Sequence, residues 1–280
     1  MPVIARIAYT SGVSPVTLLF LRFAFASPVM IALVALRRAE FPKGRALLAL
    51  IGLGGVVYVA QALCYFTALT KAPASLVALI LYLYPAIVAL GAVLIYKERF
   101  TLAKGAALAL AAAGAALMIG FVRGGTPAGV ALAVCAAAIY AVYILLGTRV
   151  MQSVPPLSAA VVVICSTAVV YAGMTAVQGP VWPATATGWF AIAVLALVST
   201  VAPIALFFAG LPRIGPTNAS TLSTLEPAVS VALAAVVLGE PITVMKVAGG
   251  ALILAAVLVI AQAQAGEARL AQAKAREARP

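Results

Sequence analysis

The sequence predicts an all-α integral membrane protein, a ten-helix bundle made of two inverted five-helix repeats in which the first helix is shortened. Three observations support this fold class. Of the 280 residues, 65% are hydrophobic and 9% are charged, whereas soluble domains are about 25% charged. Apolar runs of about 20 residues, the length of one membrane-spanning helix, follow one another with short polar breaks. The third observation is an internal repeat, and no segment is left over for a soluble domain.

The apolar runs predict one partial helix and nine complete ones. Residues Met1 to Thr10 are apolar but reach only about 15 Å at 1.5 Å per residue, which is half of a bilayer crossing. A late start of the chain and a tolerated short helix both fit this pattern. Complete spans are predicted at residues 15–36, 47–70, 74–96, 101–122, 127–148, 157–178, 187–211, 217–239 and 243–264. Residues 266–280 are expected to form a charged cytoplasmic tail, either a frayed helix or a disordered end.

The basic residues predict that both termini are cytoplasmic. With the amino terminus inside, thirteen Lys and Arg fall in cytoplasmic segments and three fall outside, as the positive-inside rule requires. This distribution accounts for the formal net charge of +12, so no nucleic-acid partner is inferred. We expect a multi-pass protein of the bacterial inner membrane, with the lipid bilayer as its surroundings.

The residue types that are missing exclude several classes of enzyme. The chain contains no His and no Asp, so it has no His metal ligands, no Ser-His-Asp relay and no Asp pair for a metal-bound diphosphate. We expect no cofactor and no metal, and an enzyme is disfavoured. Cys64, Cys135 and Cys165 lie in apolar runs, and an odd number of such residues gives no disulfide framework.

A shift of 142 residues aligns the two halves of the chain, residues 1–122 and 123–265. Each half holds five helices, an odd number, so the second copy is inserted upside down. Inverted repeats of this kind place a substrate site near the membrane midplane and work by alternating access. Glu98 and Glu240 end the fourth helix of each copy and are predicted to be capping groups, with gates as the alternative. The matched positions are Ser75 with Thr217, Pro85 with Pro227, Glu98 with Glu240, and Lys104 with Lys246.

Glu226 is the central candidate for substrate binding, because it is the only Glu in the middle of a predicted span. A charge at the bilayer centre costs about 3 kcal/mol on insertion scales, so such a group is expected to face a cavity. Ser223 lies on the same helical face, and Pro227 follows directly. The alternative is a structural Glu that hydrogen-bonds the carbonyl freed by Pro227.

Aromatic and polar residues at helical spacing predict further walls of a cavity. Amphipathic rings supply stacking faces and hydroxyl groups, although they also occur between packed helices and at membrane interfaces. Tyr82 and Tyr84 precede Pro85, and Tyr84 is the repeat equivalent of Glu226. Arg22 lies about 10 Å into the second helix, where it either grips a carboxylate, extends to the interface or bonds another helix. The other candidates are Tyr58, Gln61, Tyr65, Tyr140, Tyr143 and Phe207, with kinks expected at Pro85, Pro203 and Pro227.

Small residues at four-residue spacing predict close helix packing in the fifth and tenth helices. Gly105, Ala109 and Ala113 form one such face, and Gly250 with Ala251 and Ala255 forms the other. These faces serve either the interior of a monomer, which we favour, or a weak homodimer.

Two stretches resemble the EamA family of the drug/metabolite transporter superfamily. Leu225-Glu226-Pro227-Ala228 through Leu238-Gly239-Glu240-Pro241 is similar to the most recognisable part of that family, and Arg22-Phe23 with Ala26 is similar to its second-helix pattern. The resemblance covers about residues 13–261. It implies a ten-helix inner-membrane exporter of small metabolites such as amino acids, or of toxic organic compounds.

We therefore expect a secondary transporter that exports small amphipathic metabolites, amino acids or related compounds including aromatic ones, by alternating access at a midplane cavity. No nucleotide-binding motif is present, and proton antiport and facilitated diffusion both remain open. The alternative is a channel or a structural subunit of a membrane complex, although no filter-like sequence is visible.

Overall fold

The structure, a computed structural model, describes residues 1–96, 101–121, 125–151, 154–204, 206 and 225–277. Within these ranges the chain forms ten helices and no strand, which confirms the predicted fold class. The predicted end of the eighth span, 187–211, and the predicted start of the ninth, 217–239, fall on residues outside these ranges. The helices are α1 (Pro2–Tyr9), α2 (Pro15–Leu36), α3 (Gly44–Lys71), α4 (Ala74–Leu81 and Tyr84–Tyr96), α5 (Leu102–Phe121), α6 (Pro127–Met151), α7 (Pro156–Gln178), α8 (Ala186–Ile204), α9 (Leu225–Leu238) and α10 (Val244–Glu277).

Seven of these helices are long and apolar enough to cross a membrane, judged on the described residues alone: α2, α3, α4, α6, α7, α8 and α10. The apolar parts of α5 and α9 are shorter. Proline in the first turn starts α1, α2 and α7, because its fixed φ suits a helix start and its missing N–H is not needed there. The α10 helix continues to Glu277, so the predicted charged tail begins as helix.

Helices α3 and α8 each contain a π-helical segment, at Leu53–Tyr58 and Leu197–Val201. The two segments overlap under the 142-residue shift, so both repeats carry the same irregularity. Pro203 follows the second segment and lacks the N–H that would bond the carbonyl four residues earlier, at Ser199. A π segment inside an α-helix is often found at a functional site.

Helix α4 is interrupted after Leu81, and its second part begins at Tyr84. Pro85 explains the break, because a proline ring clashes with the carbonyl of the residue four positions earlier, which here is Leu81. Pro227 is the third residue of the described part of α9, and the residues at which it would bend that helix lie outside the described ranges.

Several of the contacts between helices recur when each helix is replaced by the one five places along the chain. Helix α2 packs on α7 and α5 packs on α10, and both pairs map onto themselves. The pair α3–α6 corresponds to α8–α1, and the pair α4–α6 corresponds to α9–α1. Two repeats related by a two-fold axis produce this exchange of helices. Because each repeat has five antiparallel helices, an odd number, the second repeat has the opposite orientation in the membrane from the first.

The packing of α5 on α10 uses a different small-residue face from the predicted one. Ala109 and Ala113 are exposed, whereas Ala107 and Ala111 are buried. A methyl group added to Gly114 would lie 2.6 Å from the Gly249 carbonyl oxygen. Because α5 is Ala-rich on several faces, residue spacing cannot select the face that packs. The exposed face at Ala109 and Ala113 does not pack inside the molecule, so the choice between a monomer and a weak homodimer stays a prediction.

Candidate functional site

A cavity of about 460 Å³ lies between α3, α6, α7, α8 and α9. This volume is in the range of sites for small molecules. The cavity reaches Pro156, the first residue of α7, so it extends to the end of the bundle at which α6 ends and α7 begins. Its lining residues are Tyr58, Tyr140, Tyr143, Pro156, Ala160, Val163, Ile164, Thr200, Pro203, Ile204 and Glu226.

The tyrosines of the cavity belong to a continuous series of aromatic rings. Adjacent ring centroids are 4.8 to 6.0 Å apart, the spacing at which edge-to-face and offset-stacked rings attract each other. Such a series holds each ring in place and presents both ring faces and hydroxyl groups to the cavity. In order along the series, the rings are Tyr171, Phe23, Tyr58, Tyr143, Tyr140, Tyr84 and Tyr82.

Glu226 lies at the α9 side of this cavity, next to the end of the aromatic series. Its carboxylate lies beside the side chain of Tyr82 and within electrostatic range of Tyr84 and Tyr140. The Glu226 side chain is exposed, and it lines the cavity. The carboxylate and the surrounding ring faces form a place where a cation could be held, because both attract positive charge.

Arg22 is buried inside the bundle, with 4% of its surface exposed, so it does not extend to an interface. Its guanidinium group lies 4.9 Å from the ring centre of Phe23 and 5.2 Å from that of Phe66. Its Nε donates a hydrogen bond of 2.9 Å to Thr200 Oγ1, and Thr200 Oγ1 donates to the Leu195 carbonyl oxygen at 3.0 Å. Arg22 therefore forms a helix-to-helix bond, which was one of the alternatives to gripping a carboxylate, and it lies behind Thr200, which lines the cavity.

Arg22→Lys is expected to lower the free energy of unfolding of the protein by about 1–3 kcal/mol. Lysine has no planar group to lie between the two rings and no Nε–H at the position that Thr200 requires. Thermal unfolding in detergent measures the effect, with the exposed Arg37→Lys as the matched control. Equal unfolding temperatures for the two variants would contradict a stabilising role for the Arg22–Thr200 contact.

The other predicted site residues fall into three groups. Tyr82 and Tyr84 do not line the cavity themselves. Tyr82 is next to Glu226 and Tyr84 is next to Tyr140, and these two neighbours do line it. Gln61 and Tyr65 are buried within the bundle, 7% and 2% exposed, and are not among the residues that line this cavity. Phe207 and Ser223 lie outside the described residues.

Sequence reasoning missed the contribution of α7, whose first three turns supply Pro156, Ala160, Val163 and Ile164 to the cavity wall. These small and apolar residues differ in no way from the rest of a membrane helix, so the sequence contains no signal that marks them. Among the described residues, no group of three or more metal-ligating side chains comes together.

Glu240 caps helix α4, as predicted for a group at the end of the fourth helix of a repeat. Its Oε1 accepts a hydrogen bond from the Ala74 N–H at 2.6 Å. Its Oε2 accepts from the Ser75 N–H at 3.3 Å, from the Ser75 hydroxyl, and from Lys246 Nζ at 3.2 Å. This cap lies at the end of the bundle opposite to Pro156, where α4 begins and α9 ends.

The hydrogen bonds determine the ionisation of Glu240. Burial alone would raise the pKa of this carboxyl, but the bonds from Ser75 and Ala74 and the charge of Lys246 outweigh burial, so its pKa is lowered. A lowered carboxyl pKa contributes stability above the ordinary pKa of Glu, and this contribution is lost as the pH falls through the lowered value. The cap is therefore fully formed at neutral pH.

Comparison with known proteins gives a family and a fold. The model of the EamA-like transporter family matches residues 1–120 and 127–262. One solved crystal structure is 24% identical, covers 92% of this chain and 93% of its own chain, and has a TM-score of 0.63; at this identity, the likeness shows the fold alone. No protein with a curated description matches the sequence.

Proposed function

The chain belongs to the EamA-like transporter family, and on that premise we propose that it exports small amphipathic metabolites by alternating access. Membership makes it a multi-pass membrane protein of a transporter family rather than of an enzyme family. Our proposal adds the cargo: amino acids or related compounds that carry an ammonium group, including aromatic ones. It also adds the site, which is the cavity that contains Tyr58, Tyr140, Tyr143 and Glu226.

One observation supports this cargo above all: a carboxylate and stacked aromatic rings line the same cavity. An ammonium group is attracted by the Glu226 carboxylate and by the ring faces of the tyrosines. An apolar or aromatic side chain of the same cargo would pack against the apolar wall of α7 and against Tyr140 and Tyr143. The site therefore favours a molecule with one cationic end and one apolar end.

The arrangement of the two ends of the bundle supports alternating access. The cavity extends to the end marked by Pro156. At the opposite end, connections between the helices pack on each other across the repeats. The contacts there are Thr126 N to Lys71 O at 3.0 Å, Ala184 N to Ser11 O at 2.9 Å, and Val181 N to Thr17 Oγ1 at 3.1 Å.

We infer the orientation from the basic residues, which favour cytoplasmic termini in a bacterial inner membrane. With the termini inside, the Pro156 end faces the cytoplasm. The described conformation is then closed to the outside and receives cargo from the cytoplasm, as export requires. Labelling of cysteines introduced into the connection between α2 and α3, with a membrane-impermeant reagent on intact cells, tests this orientation, and labelling from outside would contradict it.

Flux into liposomes that contain the purified protein tests the proposed cargo. Three labelled compounds of similar size separate the role of the ammonium group from that of the carboxylate. Phenylalanine carries both groups, phenethylamine carries only the ammonium group, and 3-phenylpropionate carries only the carboxylate. We expect saturable flux of the first two and at least about tenfold weaker flux of the third, because only the third lacks a partner for Glu226. Equal flux of all three would contradict the proposed site.

The same liposomes separate proton antiport from facilitated diffusion. Antiport predicts that an imposed pH gradient drives the cargo against its own concentration gradient, whereas facilitated diffusion predicts flux that ignores the pH gradient. Protein-free liposomes supply the background rate. A rate far above that of a carrier would favour a channel instead.

A further inference from the structure

We propose that Glu240, Ala74, Ser75 and Lys246, here called the Glu240 clasp, form the gate that closes the end of the bundle opposite to Pro156. The hydrogen bonds of the clasp would break each time the cavity opens at that end, and they would form again when it closes. This inference rests on the transport function proposed above and identifies the residues that control one of its steps.

The first support is that the clasp joins the two repeats. Glu240 follows α9, which belongs to the second repeat, whereas Ala74 and Ser75 are the first residues of α4, which belongs to the first repeat. Lys246 lies at the start of α10. If the repeats rock against each other, as alternating access requires, a contact of this kind cannot persist in both conformations.

The second support is the chemistry of the contact. A carboxylate at the N-terminus of a helix is held by free N–H groups and by the helix dipole, and the bonds from Lys246 and Ser75 add to this. The carboxylate of Glu240 is 12% exposed, whereas Lys246 is 3% exposed. Water can therefore reach the carboxylate and replace its partners when the clasp opens, so the contact is strong and still reversible.

The third support is that Glu226, the acidic residue of the proposed cargo site, adjoins the same helix that the clasp holds, α4. Glu226 on α9 lies beside Tyr82 on α4, and Tyr82 lies where α4 is interrupted. An ammonium cargo bound to Glu226 would compete with the Tyr82 hydroxyl for the carboxylate. Cargo binding would thereby weaken a contact between α4 and α9 and leave the clasp in place, which links occupancy of the site to the gate.

The residue types of the clasp also recur in the sequence. The 142-residue shift brings Thr217 onto Ser75, Glu98 onto Glu240, and Lys104 onto Lys246. Glu98 and Thr217 lie outside the described residues. The recurrence indicates that the combination of a hydroxyl residue, a Glu and a Lys is part of the repeated unit rather than an accident of one loop.

A labelling experiment tests the gate without the need for any cargo. Cys64, Cys135 and Cys165 are replaced by alanine, and Ala78, which is 3% exposed and lies one turn beyond Ser75 in α4, is changed by Ala78→Cys. In detergent, the rate at which a hydrophilic thiol reagent modifies this cysteine reports opening at the clasp end. We expect Glu240→Gln, and to a smaller extent Ser75→Ala, to raise the rate about tenfold.

The matched control is Glu40→Gln, which removes an exposed Glu from the connection between α2 and α3 and is expected to leave the rate unchanged. If Glu240→Gln and Glu40→Gln give the same rate, the clasp is not a gate. If Glu240→Gln does not fold, Ser75→Ala decides the question by the same measurement.

A cross-linking experiment tests the gate during transport. In the cysteine-free background, Ser75→Cys and Glu240→Cys are joined by a short, reducible thiol cross-linker. We expect the cross-linked protein to lose more than about nine-tenths of its flux, because one conformation of the cycle is locked, and reduction is expected to restore it. Flux that persists after cross-linking would overturn the gate. Absence of flux in the cysteine-free parent protein, in which Ser75 and Glu240 are intact, would instead contradict the proposed transport function, and the labelling result would still decide the role of the clasp.

Discussion

Glu226→Gln is expected to lower the flux of ammonium-bearing cargo by about 10- to 100-fold. Glutamine keeps the shape of the side chain beside Tyr82, but it carries no negative charge. A hydrogen bond to a charged group contributes about 1.5–3 kcal/mol, and about 1.4 kcal/mol corresponds to a factor of ten in binding. Flux of phenethylamine into liposomes measures the effect directly, because this compound has no other charged group.

Two controls separate a role in cargo binding from a role in folding. Glu40→Gln removes an exposed Glu outside the site and is expected to leave flux unchanged. The thermal unfolding temperature of Glu226→Gln shows whether the bundle itself is affected. Lower stability with unchanged affinity for the cargo would favour the structural alternative, in which Glu226 only stabilises the helix around Pro227.

Gly54→Ala is expected to destabilise the bundle by about 3 kcal/mol or more, or to prevent its assembly. A methyl group at this position would lie 2.2 Å from Ser166 Oγ, 2.6 Å from the Val163 carbonyl oxygen and 2.7 Å from Val163 Cα. The Ser166 hydroxyl can rotate away, but the backbone at Val163 cannot, so α3 would have to move away from α7. The Thr167 hydroxyl donates a 2.9 Å hydrogen bond to the Gly54 carbonyl oxygen, and this movement would stretch it.

The matched control lies two residues earlier on the same helix. Nothing lies within 4 Å of a methyl group added to Gly52, so Gly52→Ala is expected to be neutral or slightly stabilising. Size-exclusion chromatography and thermal unfolding in detergent compare the two variants. Equal behaviour would show that the close approach of α3 to α7 does not limit stability.

The sequence predicted the helices well because each span is bounded by a strong local signal. Apolar runs alone would leave the helix boundaries imprecise, but local residues mark several of them. Proline starts α2 and α7, and a glycine with positive φ ends α7 and α9, at Gly179 and Gly239. Glu226 could also be selected as a candidate from the sequence alone, because an acidic side chain in an apolar span requires a polar or aqueous neighbour.

What the sequence did not predict depends on contacts between distant segments. The π segments of α3 and α8 are a slip of the hydrogen-bond ladder by one residue, and residue periodicity does not encode such a slip. The cavity wall contributed by Ala160 and Val163 is another case, because an apolar residue facing a cavity looks the same as one facing lipid. Gln61 was expected to line the cavity because an amide needs a partner, but a polar group can also be accommodated within packed helices.

The matching π segments determine the direction in which side chains of the cavity wall point. One extra residue in a helical turn rotates everything beyond it by about 100°. Tyr58 and Thr200, which correspond under the 142-residue shift, lie at the ends of the two segments, and both face the cavity. The direction of these two side chains is thus set by backbone pitch. A substitution at Tyr58 would leave this pitch unchanged, whereas deleting a single residue from either π segment would rotate that stretch of the cavity wall by about 100°.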